Sequence, residues 1–352
     1  MRGFAMMALA ALAALAGTGS PALARSDGEA APDAGAGAGV DPLSVTVESA
    51  DADRFAAVFA AADGRPTAEA LQRGYLDGAG RGVAVFTPGR IQNAANLARA
   101  IAADPAGYAR AVKVCLPLAK QASADMRAIY LGLASVFPGR PLPELHVVFG
   151  AGNSGGTAGV EDGVGAQVLG LEVICEMADT PEELRTTFRR FFAHETVHVV
   201  QMQAGAAVQS ASDPLLAASL TEGFAEFVSG LVTGEVPDPE RDGWARAREA
   251  QVWADFAADR RALQIMAGEG MSVDDPPAEA AALLRRWAGN YGSAPEGWPY
   301  EMGYWIGRRI CEGYFERSTD KRRAIEDLLL MKDPAAILAG SGYGSRVEFP
   351  SE

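Results

Sequence analysis

Histidine and cysteine are scarce in this chain: 352 residues include three of each. Three cysteines exclude a disulfide-dense scaffold and a zinc fold built on several thiolates. Lysine is scarcer still for its class, with four in the whole sequence, and 31 basic residues stand against 45 acidic ones for a net charge of −14. Phosphate backbones and anionic lipid surfaces are recognised by clustered cations, so no nucleic-acid partner is expected. The N-terminal apolar run, residues 5–16, is shorter than the roughly 20 residues that span a bilayer. No internal repeat recurs at a fixed period. What remains is a globular composition, 49% hydrophobic and 22% charged, long enough for one large domain or two smaller ones.

Arg2, the apolar run and Ala22-Leu23-Ala24 together form a secretory signal with cleavage near Ala24. The mature chain is therefore expected to begin near Arg25, in the periplasm or outside the cell, with no stable membrane insertion. No cysteine lies beside the cleavage site to take a lipid. In an oxidising compartment Cys115, Cys175 and Cys311 allow one disulfide and one free thiol, and the spacing leaves the pairing open.

Residues 25–48, rich at first in Gly, Ala, Pro and acid, read as a flexible linker. An N-terminal helical region follows over 49–140, with apolar stripes at Phe55, Val58, Phe59 and at Leu71, Tyr75, Leu76, and with helices over 91–103, 106–121 and 123–136. At 142 the period changes. Leu145, Val147 and Phe149 alternate as in a strand, a glycine-rich stretch runs from Gly150 to Thr157, and a second strand-like run covers 166–174. Two strands joined by such a loop predict an antiparallel pair. Helices are expected over 181–203, 213–234, 241–267, 276–288, 299–317 and 320–331, the first announced by Thr180-Pro181-Glu182-Glu183. The predicted class is α+β, mostly helical, with a small antiparallel sheet.

His194-Glu195-Thr196-Val197-His198 falls inside the helix predicted from 181. Residues i and i+4 project from one helix face, so two imidazoles can grip one metal ion with a carboxylate between them. Zinc takes such ligands tetrahedrally, and a catalytic site keeps a position for water that the glutamate can deprotonate. A third ligand must come from elsewhere. The metzincin extension needs Gly and His where this chain has Gln201 and Ala204, and no histidine follows His198. A carboxylate on a nearby helix is left, and Ser219-Leu-Thr-Glu-Gly-Phe-Ala-Glu-Phe227 supplies it. Glu222 is assigned as ligand. Glu226, one turn on, is assigned as acceptor for the non-ligating nitrogen of a zinc histidine. Both lie among apolar residues, a poor setting for unpaired charge.

Glu195 between the two histidines, followed by Glu222-Gly223-Phe224-Ala225, resembles the gluzincin zinc peptidases. Arg73-Gly-Tyr-Leu-Asp77, Phe149 to Thr157, Gly303-Tyr-Trp-Ile-Gly307 and Ser341-Gly-Tyr343 are similar to segments of a bacterial branch of gluzincin-type zinc-dependent proteases. The resemblance spans about 70 to 345. It implies a thermolysin-like catalytic region over 141–346, one zinc ion per chain, and a peptide or protein substrate whose backbone lies along an edge strand, a place that 145–149 and its glycine-rich loop match. The Gly-Ala-Met-Glu-Asn segment of the large aminopeptidases is absent.

Amide hydrolysis also needs a donor for the developing oxyanion. With no later histidine, arginine or tyrosine must serve; several gluzincins use a tyrosine downstream of the ligands, and the resemblance points to Tyr304, with Tyr300 in reserve one turn earlier. Asn153, Gly155 and Gly156 either contact substrate backbone or form an ordinary hairpin turn. His146 either points into the cleft or fills a surface or core position, and Glu172 either binds a substrate amine or is structural. The expected function is an exported zinc metallopeptidase with Glu195 as general base. The alternatives are a zinc hydrolase of another amide, such as a cell-wall peptide, and a non-catalytic envelope protein with a structural metal.

Overall fold

A computed structural model describes residues 39–348 except 162, 208–209 and 291–292. The expected signal peptide, its cleavage site and most of the linker lie outside the described residues. The end of that linker is structured. Val45 and Val47 are buried, the Val40 N–H donates to the Leu142 carbonyl at 2.9 Å, and Val47–Glu48 forms strand β1.

The N-terminal apolar stripes build α1 (Ala50–Ala61), α2 (Ala68–Leu71), α3 (Arg81–Phe86), α4 (Ala94–Ala103), α5 (Pro105–Arg110), α6 (Leu116–Gln121) and α7 (Ser123–Val136), with π-helical turns at Gln72–Leu76, Thr87–Ile91 and Ala111–Cys115. Short polar side chains start several of them: Thr67, Asn93 and Asp104 each accept the N–H three residues on, satisfying donors that a helix leaves open.

The sheet corrects the sequence expectation. Its strands are β1, β2 (Glu144–Val148), β3 (Gly156–Glu161) and β4 (Val164–Gly170), in the order β1-β2-β4-β3. β2 and β4 run parallel, with Leu145 opposite Gln167, not antiparallel. The glycine-rich loop leads into β3, which is the antiparallel partner of β4, with Gly156 opposite Leu169. Glycine has no side chain to announce a strand, so β3 is hidden in what reads as loop. Since β2 is flanked on both sides, the edge strands are β1 and β3, and not 145–149. The apolar run after Gly170 turns into α8 (Leu171–Glu176).

The C-terminal part comprises α9 (Pro181–Gln203), α10 (Pro214–Thr233), α11 (Pro239–Arg246), α12 (Glu249–Gly268), α13 (Ala278–Trp287), α14 (Met302–Arg317), α15 (Lys321–Leu330), α16 (Pro334–Ser341) and α17 (Tyr343–Glu348). The capping box at α9 is present: Thr180 Oγ1 accepts from the Glu183 N–H at 3.2 Å, and Glu183 Oε2 from the Thr180 N–H at 3.1 Å. The single helix expected over 241–267 breaks between α11 and α12. The break turns Arg241 and Asp242 into buried ion pairs while Val252 and Phe256 of α12 join the core. Helix α10 is long and apolar enough to cross a membrane, but 67% of its apolar window is buried inside the protein.

Helix α9 covers one face of the sheet, where Gly165 lies against Val199, and α3 covers the other, where Gly159 lies against Val85. The helical N-terminal region is joined to this layer by packing and by a covalent bond. Phe55 stacks on Phe149 with centroids 4.1 Å apart, and Cys115 is disulfide-bonded to Cys175 across a sequence separation of 60. Closing a loop of that length removes about 4 kcal/mol of chain entropy from the unfolded state. Cys311 is the free thiol and is buried.

Candidate metal centre

The four-residue spacing on α9 places His194 Nε2 and His198 Nε2 3.0 Å apart. Glu222 Oε2, from α10, lies 3.2 Å from His198 Nε2 and 3.3 Å from His194 Nε2. Donors bound tetrahedrally at ~2.0–2.1 Å are separated by about 3.3 Å, so these three atoms outline one face of such a site and could hold a metal ion.

Close helix packing makes the approach possible. A Cβ on Gly223, next to Glu222, would lie 2.1 Å from the Gly307 carbonyl carbon of α14. Only glycine on both helices permits that backbone contact. Thus α14 carries the Tyr304 ring against His194, nearly parallel to it at a centroid distance of 6.2 Å. Tyr300 does not lie one helical turn back on the same face. Glu301 is left-handed, with φ +56°, and α14 starts only at Met302. Burial and the charges of Glu222 and Glu301 hold the Tyr304 hydroxyl well above its ordinary pKa, so it remains a donor.

The Glu222 carboxylate is held ionised. Burial would raise the pKa of Glu222, but the two histidines outweigh it and the net shift is downward. His198 shifts the other way: burial lowers it, Glu222 more than compensates, and it rises to about 9. Glu195 lies between them on α9 with its pKa raised, chiefly by burial, against the lowering effect of both imidazoles and of Arg90. A Cβ on Gly156 would sit 2.8 Å from Glu195 Oε1. The first residue of β3 is therefore packed on the carboxylate.

Glu226 does not perform the task expected of it. Its Oε1 accepts from Arg241, and its Oε2 faces Arg308 Nε at 3.7 Å. The non-ligating His198 Nδ1 instead meets Gln201 Oε1 at 2.8 Å, while Gln201 Nε2 donates to the Thr221 carbonyl at 3.3 Å. That chain fixes the tautomer: with its amide nitrogen committed to Thr221, Gln201 can only accept, so Nδ1 carries the proton and Nε2 is left for metal. Gln201 is three residues after His198 on the same helix, a spacing that could have identified it.

Of the substrate candidates, Asn153 places Oδ1 in a buried position without a hydrogen-bond partner among the described residues. The Gly155 carbonyl accepts from the Gly170 N–H at 3.1 Å, and the Gly156 carbonyl from Ser154 Oγ at 2.6 Å. The first bond is a rung to β4, and the second is made to a side chain just ahead of β3. Glu172 is structural, accepting from the N–H groups of Gly150 at 3.0 Å and Gly152 at 3.2 Å. His146 lies against Gly82 of α3, on the sheet face away from α9, and bonds Glu144 at 3.0 Å. Comparison with known protein families, with curated proteins and with solved structures gives no match to this chain.

Proposed function

We propose that this protein is an exported zinc-dependent metallopeptidase with a thermolysin-like core and Glu195 as its general base. The observation that carries the reading is the convergence of His194, His198 and Glu222 within 3.3 Å of one another, with Glu195 on the same turn of helix. A purely structural site has no use for a carboxylate there.

Zinc bound by His194, His198 and Glu222 would polarise the scissile carbonyl and bring the pKa of water toward ~7. Glu195 accepts the proton of the attacking water, and its burial, which raises its pKa, suits it to hold that proton until the leaving amine takes it. The Tyr304 hydroxyl donates to the oxygen on which charge develops. β3 has no second strand partner among the described residues, so its outer edge can pair with an extended peptide. Asn153 Oδ1 is an acceptor for a substrate N–H. The Cys115–Cys175 disulfide is consistent with export into an oxidising compartment.

The deciding experiment measures zinc content and peptide-library cleavage for wild type and Glu195→Gln. About one zinc per chain is expected in both, with turnover falling by ~10²–10⁴-fold in the variant. Equal cleavage by the two proteins would remove Glu195 from the chemistry.

A further inference from the structure

Glu172 is buried in the first turn of α8, and hydrolysis by zinc, Glu195 and Tyr304 leaves it without a chemical task. Both of its oxygens are spent on one loop. Oε2 accepts from the Gly150 N–H at 3.0 Å and Oε1 from the Gly152 N–H at 3.2 Å. Backbone N–H groups that converge on one anion form a nest, and Gly152, with φ +72°, is the left-handed residue that gives this one its turn. The carbonyls of the same stretch are held as well. Tyr108 Oη donates to the Gly150 carbonyl at 2.7 Å, and Tyr75 Oη to the Phe149 carbonyl at 2.8 Å.

The other end of the loop runs to the general base. Ser154 Oγ donates to the Gly156 carbonyl at 2.6 Å, and Gly156 lies on Glu195. Between the two fixed ends is Asn153, whose buried Oδ1 has no hydrogen-bond partner among the described residues. It precedes Gly156 by three residues, at most about 10 Å of chain. A buried amide oxygen left without a donor costs stability; an incoming ligand N–H would satisfy it.

We propose that Glu172 is a positioning residue for substrate: it fixes the loop 150–154 so that Asn153 Oδ1 meets a substrate N–H beside the scissile bond. The role rests on the metallopeptidase reading and adds to it the group that presents the substrate contact. Bonds from N–H to a carboxylate are charge-assisted, so the loop is set before substrate arrives and its ordering is not charged against binding. The Cys115–Cys175 disulfide belongs to the same brace. Cys175 shares α8 with Glu172, and Cys115 ends the π-helical turn that continues α5, the helix of Tyr108. The N-terminal region thus acts on substrate through the loop.

The test measures the binding of two hydroxamates to the full mature protein loaded with zinc. Acetohydroxamate carries the zinc-binding group alone, whereas N-acetyl-leucyl-alanine hydroxamate adds peptide N–H groups. Asn153→Ala and Glu172→Gln should each weaken the peptide hydroxamate ~10-fold and leave acetohydroxamate unchanged. Glutamine keeps one acceptor oxygen but turns an amide NH₂ toward the second N–H, so the nest is broken. The double variant should bind no more weakly than Asn153→Ala, because the residue that Glu172 positions is gone. Tyr108→Phe loosens the same loop more mildly and should show a smaller loss for the peptide hydroxamate alone, which decides the matter if Glu172→Gln does not fold. Losses that add in the double variant, or that fall equally on both hydroxamates, would reduce Glu172 to a structural role. Unchanged binding by Asn153→Ala would remove the contact itself, and a wild type that gains nothing from the peptide portion would sink the proposal without any variant. The expected binding pattern with no cleavage of a peptide library would retain the loop contact and reject the peptidase reading.

Discussion

Glu222 and Glu226 are one turn apart on α10 and almost equally buried, at 5% and 4% exposure, yet they meet opposite kinds of partner. Glu226 faces Arg241 and Arg308, and Arg308 also pairs with Asp242, which accepts from Trp305 Nε1 at 3.0 Å. Glu222 faces two imidazoles. Arginine is charged at every accessible pH, so the first cluster is permanently neutralised and only holds α10, α11 and α14 together. Histidine can give up its proton, so the second cluster can exchange protons for a metal ion. The same residue type on the same helix becomes scaffold or site according to whether its counter-charge can leave.

Removing each carboxylate is the sharpest way to break that comparison. Glu226→Ala should destabilise the protein by about 3–5 kcal/mol, because two arginines are left buried without it. Glu222→Ala should cost the metal-free protein less, since both histidines can become neutral, but should abolish zinc binding. Urea denaturation of both variants with zinc analysis measures this; equal losses of stability, or zinc retained without Glu222, would erase the distinction.

Tyr304→Phe deletes one hydroxyl and keeps the ring against His194. Turnover should drop by ~10²–10³-fold with KM little changed. A variant within about threefold of wild type, far short of that loss, would limit Tyr304 to packing.

A smaller effect is expected at Gln201. Replacing it with Leu removes the acceptor for His198 Nδ1 and should weaken zinc binding by ~10–100-fold, read by chelator competition. Unchanged affinity would show that the tautomer is set elsewhere.

The mildest test is pH. In metal-free protein the folded-state pKa of His198 is raised to about 9, above its unfolded value of about 6.5. Its contribution to stability is complete below about 6.5 and is lost as the pH rises through about 9. Thermal stability of metal-free protein should therefore decline across that window, while zinc-loaded protein, whose histidines are already neutral, should not share the decline. Parallel curves would show that His198 carries no linked proton.

Features encoded by local spacing are legible in the residue order alone. The capping box at Thr180 and Glu183, the helical register of His194 and His198, and the strand alternation at Leu145 and Val147 depend on residues a few positions apart. Glu222 is also reachable, by elimination, because so few metal-binding residues exist in the chain. The glycines around Tyr304 imply a close approach of helices, and Gly307 against Gly223 provides it. Fold class α+β and most helix limits follow from the same periodicities. The strand pairing does not, because a glycine-rich segment has no side-chain pattern to separate strand from loop.

The residue sequence by itself determined which groups could form a site: two histidines on one helix face, a glutamate between them, and a short supply of third ligands. Only the tertiary structure decided partners drawn from separate elements. It paired Cys115 with Cys175, gave Glu226 to Arg241 of α11, and put β3 rather than β2 at an edge of the sheet. Each of those outcomes depends on which helices and strands approach one another, and that is set by burial of apolar surface over the whole chain, which carries no local signature at the residues it brings together.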